Sequence, residues 1–61
     1  MPKVGEFEVP ERILVRNPIS GKEEPAIFYH ATRTHVIYIG EMSGIRYRFS
    51  IREASLKTPY T

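Results

Sequence analysis

The sequence has no cysteine, tryptophan, aspartate or glutamine, and Asn17 is its only asparagine. Without cysteine there is neither a disulfide nor a thiolate zinc site to staple a chain of 61 residues. Stability must come from packing, from a tight β-topology, or from association between copies. Glutamate supplies all seven acids. Few thermolabile side chains with Glu and Arg retained fits a thermophile-like composition, although so short a chain reaches the same composition by sampling. No apolar run approaches the ~20 residues of a membrane helix, and no signal-peptide core is seen. The expected location is cytoplasmic, and no membrane partner is expected.

What is there is charge, unevenly spread. Residues 1–30 carry four basic and five acidic side chains, and residues 31–61 carry five basic and two acidic, for a net charge of +2. The basic character gathers in the second half, around Thr34–Arg52. There Ile45, Tyr47, Phe49 and Ile51 alternate with Arg46, Arg48, Ser50 and Arg52. Period-two alternation predicts a half-buried strand. The strand before it, His35–Ile39, is apolar on both parities, as in a central strand covered on two faces. Gly40–Gly44 links the two, with each glycine free to take positive φ. The preferred register sets Ile39 against Ile45, Ile37 against Tyr47 and His35 against Phe49, leaving Tyr38 and Val36 beside Arg46 and Arg48. A loop of four residues shifts every pair by one and puts Tyr38 and Val36 in the core.

Earlier in the chain, Phe7 and Val9 share a parity in what reads as an edge strand or arm over residues 1–10, ended by Pro10. Arg12–Arg16 reads as a strand and Asn17–Lys22 as a turn. In Glu23–Arg33, Ala26, Phe28 and His30 alternate with Ile27, Tyr29 and Ala31. Both parities are mixed, and Phe28 is taken as inward. Thr32–Thr34 has no glycine, which suggests a bend or bulge. Arg52–Ser55 is expected to form a single helical or 3-10 turn, with Leu56 plugging the core and Tyr60 pairing as a last short strand. The whole, residues 1–61, reads as a single all-β domain: a small antiparallel barrel of four to five strands with a one-turn 3-10 helix near the C-terminus. This layout resembles the SH3-like architecture.

Candidate chemistry is sparse. Ser20, Ser43, Ser50 and Ser55 sit in no nucleophile elbow, and Glu23–Glu24 reads as solvated. Gly40 and Gly44 bound a hairpin loop rather than a phosphate loop. His30 and His35 lack further ligands for a metal. No enzyme activity, metal, cofactor or small-molecule substrate is expected. The informative feature is the row Arg46, Arg48 and Arg52, extended by Arg33 and Lys57. Alternate strand positions lie roughly 6.6–6.8 Å apart, a spacing commensurate with phosphates along a strand. Tyr38 beside the row supplies a stacking surface, and Tyr29 and His30 extend it. The first expectation is a small basic protein that binds DNA or RNA through the phosphate backbone with little sequence preference. The alternative is a non-enzymatic protein-interaction module, an adaptor or inhibitor of a larger partner or a homo-oligomer, using the exposed face of the doubly apolar strand. On the bland view, the basic row is an ordinary solvated strand face.

Overall fold

Alternating side chains divide the chain between two faces of one curled sheet. A computed structural model describes residues 2–61; Met1, the first residue of the expected arm, lies outside the described residues. The elements are β1 (Lys3–Val4), β2 (Phe7–Glu8), β3 (Arg12–Arg16), β4 (Glu23–Ala31), β5 (His35–Gly40), β6 (Arg46–Ser50) and α1 (Ile51–Ser55). β1 and β2 form a small hairpin of their own. β3, β4, β5 and β6 form an antiparallel sheet in sequence order, curled into a half-barrel. The mostly-β architecture expected from the alternation is therefore present.

The concave face holds the core. Val9, Ile13, Val15, Ala26, Val36, Tyr38 and Ala54 are buried, with Val4, Phe28, Ala31, Tyr47, Phe49 and Ile51 packed around them. Tyr38 is the pivot. It is fully buried between Phe28 and Phe49, whose rings meet its own edge-on at 6.1 and 6.0 Å. Its hydroxyl donates to the carbonyl of Pro10 at 2.6 Å, so the phenol has a partner despite its burial. Burial pushes its pKa up to about 12. The chain between β2 and β3 is thus tied to the centre of the sheet.

The β5–β6 register is the shifted one. Val36 pairs with Phe49, Ile37 with Arg48, Tyr38 with Tyr47 and Ile39 with Arg46. Gly40 belongs to the ladder, its N–H donating to Ile45 at 2.8 Å. The loop is therefore Glu41–Gly44, and only Gly44 of its two bounding glycines has positive φ, at 76°. Of the two registers allowed by the sequence, the one with Tyr38 outward is overturned. The reason lies in Glu24. Its carboxylate reaches across the concave face and accepts from five donors: Asn17 Nδ2 at 3.0 Å, Ser43 Oγ at 2.6 Å, Tyr47 OH at 2.7 Å, and the N–H groups of Met42 at 3.2 Å and Ser43 at 3.0 Å. These bonds fix the loop, and with it the pairing. A Cβ at Gly40 would stand 2.7 Å from Glu24 Oε1, so the site takes glycine for space rather than for dihedral freedom. Glu24 was expected in solvent; it is buried.

Two further expectations are corrected. The C-terminal turn is an α-helix, Ile51–Ser55, rather than a 3-10 turn. Ser50 is its N-cap, accepting from the N–H of Glu53 at 3.1 Å. Leu56 does not plug the core: it is 78% exposed, and Ala54 is the buried residue of the helix. Beyond the helix the tail returns to β3, where the Tyr60 N–H donates to the Arg12 carbonyl at 2.8 Å. The Asn17–Lys22 turn forms as read, with the Asn17 side chain accepting from the N–H groups of Ile19 and Ser20. Among the described residues, no helix is long and apolar enough to cross a membrane.

Candidate nucleic-acid interface

The convex face carries the surface chemistry. Cross-strand pairing lines up Arg12, Ile27, Ile39 and Arg46 in one row, and His30, Ile37 and Arg48 in the next. Ile37 and Ile39 are half-buried there. The molecule measures only 15 Å along its shortest axis.

A bulge in β4 shapes this face. Phe28 pairs with Tyr38 and His30 with Ile37, which leaves Tyr29 as an extra residue without a partner. Phe28 and Ala31 pack on the core, whereas Tyr29 and His30, consecutive in sequence, both stand on the convex side. The Arg46 guanidinium lies 5.3 Å from the centroid of the Tyr29 ring. The Tyr29 and His30 rings meet at 4.9 Å. Tyr29 remains 50% exposed after both contacts.

Beside this pair runs an open groove of about 590 Å³, lined by His30, Thr32, Thr34, His35, Ile37, Arg46 and Arg48. Its wall at the β4–β5 connection is ordered without glycine. The Thr32 N–H donates to the His35 carbonyl at 2.8 Å, and Thr32 Oγ1 accepts from the His35 N–H at 3.0 Å. Thr34 Oγ1 and His35 Nδ1 are 2.7 Å apart. No carboxylate lines the groove. Among the described residues the ion pair is Arg12–Glu41, at 2.6 Å on another part of the face, where the bond to Glu41 raises the Arg12 pKa. Arg46 and Arg48 are left free to meet an anion.

The residues expected from the sequence scatter over the molecule. Arg46 and Arg48 lie side by side on the convex face as expected. Arg33 is exposed at the tip of the β4–β5 connection, beyond the residues that line the groove. Arg52 leaves the row because the strand ends at Ser50 and Arg52 falls in the helix. Lys57 sits against the core side of the sheet, its Nζ 4.5 Å from the Phe49 ring centroid. Tyr38 offers no stacking surface, since its side chain is wholly inside the core. Tyr29, which the sequence offered only as an extension of the row, is the half-exposed ring beside Arg46. Among the described residues no cluster of three or more metal-ligating side chains forms. The one strongly perturbed carboxylate, Glu24, is held down to about 2, chiefly by the hydroxyls of Ser43 and Tyr47. Its acceptor positions are committed to the fold. The pKa of Tyr47 is raised, first by burial and then by its bond to that carboxylate.

Protein-family models, curated proteins and solved structures were all compared with the chain, and none of them matches it.

Proposed function

We propose that this protein is a small nucleic-acid-binding domain that engages backbone phosphates, with little sequence preference, through the convex face of β4, β5 and β6. The observation that carries this reading is the groove itself: two unpaired arginines on adjacent same-face positions, flanked by two histidines and two threonine hydroxyls, with no acid among the lining residues. Cations spaced along a strand neutralise successive phosphates and release their counterions. The protein acts by binding rather than by catalysis. The SH3-like description belongs to the same proposal, supported by the curl of the sheet and by the return of Tyr60 to the edge of β3.

A salt titration of oligonucleotide binding tests this. Affinity should fall steeply as salt rises. The Arg46→Ala/Arg48→Ala variant should bind weakly, with a log–log salt slope shallower by about 1.4–1.8, the share of two phosphate contacts. Wild-type protein that binds no oligonucleotide at low salt would sink the reading.

One observation favours a second reading, a protein-interaction module. Leu14 and Ile27 are exposed on the same face, Ile27 at 45%, next to half-buried Ile37 and Ile39. An apolar stripe of this kind also suits a protein partner or a second copy. Binding through it would be nearly indifferent to salt and would fail in Ile37→Ala.

A further inference from the structure

We propose that the ligand of this face is single-stranded nucleic acid, with one unpaired base stacked on Tyr29 and its neighbouring phosphates held by Arg46 and Arg48. This rests on the nucleic-acid reading above and names its substrate class.

Three features of the fold converge on a single strand. First, the β4 bulge turns two consecutive rings, Tyr29 and His30, onto the face that carries the arginines. A regular strand would send one of them into the core. An aromatic surface that stays half exposed beside a guanidinium suits the face of a base, which every nucleotide has whatever its sequence. Base faces are open only when unstacked. In a duplex they are hidden, and Tyr29 would have nothing to receive.

Second, the described helix does not stand on this side, where it could enter a duplex groove. A major groove about 12 Å wide admits a helix or a two-stranded ribbon. The single described helix, α1, packs on the concave side against β2, β5 and β6. The described two-stranded ribbon, β1–β2, has two residues in each strand.

Third, the groove of about 590 Å³ falls within the range of sites that enclose small ligands, about 300–1,000 Å³, and so has room for a nucleotide unit. Its cations lie along one edge and Tyr29 stands beside Arg46. A chain running along β6 can place phosphates on Arg46 and Arg48 while a base turns toward β4.

The test is fluorescence anisotropy with labelled oligo-dT and oligo-U 12-mers and a matched DNA duplex, at low and physiological salt. Wild type is compared with Tyr29→Ala, Tyr29→Leu, Tyr29→Phe and Arg46→Ala/Arg48→Ala, each checked for folding by circular dichroism. Tyr29→Leu keeps apolar bulk without a π face, so it carries the test if the alanine variant fails to fold. Wild type should prefer either single strand over the duplex by about fivefold or more, one stack's worth. Tyr29→Ala and Tyr29→Leu should weaken single-strand binding by about 5- to 150-fold, the range for loss of one base–aromatic stack. Neither should change duplex binding, and Tyr29→Phe should behave as wild type. Equal affinity for strand and duplex, unaffected at Tyr29 but lost in the arginine variant, would overturn the single-strand proposal and leave the phosphate interface standing. Wild-type protein that binds none of the three oligonucleotides at low salt would overturn both.

Discussion

A carboxylate that accepts from five donors cannot take up a proton without weakening them. Glu24 in the folded chain titrates at about 2, below its ordinary value of 4.5. A folded-state pKa below the unfolded one contributes stability that is present above about pH 4.5 and lost as the pH falls through about 2. Glu24→Gln should therefore lower stability at neutral pH and flatten the acid limb of the unfolding curve, as followed by circular dichroism from pH 7 to pH 1.5. An acid limb identical to wild type would show that the carboxylate does not hold the loop. Sequence alone missed this residue because Glu23 and Glu24 adjoin a turn, where carboxylates are usually solvated. The clue lay in distant residues that contribute donors, Asn17, Ser43 and Tyr47, and no local pattern links them. Tyr38 failed for a related reason. Its strand is apolar on both parities, and choosing the inward one required knowing whether Gly40 belonged to the loop or to the ladder.

At the scale of elements, the run from Ile45 to Arg52 shows how alternation can mislead. The pattern is unbroken over eight residues, yet the strand stops at Ser50. Ser50 and Glu53 stand at N-cap spacing, and the Ser50 hydroxyl does accept from the Glu53 N–H. That signal was legible, and it outweighs two further alternating residues because it satisfies a helix N–H that a strand continuation would leave unused. A helix of five residues cannot stand alone. It persists because Ala54 and Ile51 close the concave face. Ser50→Ala should destabilise the protein by about 0.5–2 kcal/mol, the usual cost of losing a cap. Thermal unfolding would measure it, and a loss near zero would place the stability of the helix entirely in its packing. The same boundary moved Arg52 out of the basic row.

At the scale of the whole molecule, strands, turn residues and the facing of β6 were readable, whereas the inward parity of β5, closure and the exact composition of the convex face were not. Single-sequence patterns describe neighbours along a chain; the convex face depends on neighbours across four strands. The basic row kept Arg46 and Arg48, which one strand places together, and lost Arg52 and Lys57, whose positions depend on how the chain leaves the sheet. Because Arg46 and Arg48 are exposed and Arg46 makes only the contact with Tyr29, the Arg46→Ala/Arg48→Ala variant should lower unfolding free energy by no more than about 1.5 kcal/mol. Urea denaturation would check this. A large loss would mean that the two arginines serve the fold, as covers for Ile37 and Ile39, more than a ligand.

The mixed parity of β4 has its source in the bulge. With Tyr29 left out, Ala26, Ile27, Phe28, His30 and Ala31 alternate in and out without a fault, in register with Gly40, Ile39, Tyr38, Ile37 and Val36. Tyr29 therefore behaves as a one-residue insertion in a ladder that is complete without it. The step that gives or removes its ring is then an in-frame gain or loss of a single codon, which leaves every other pairing in place.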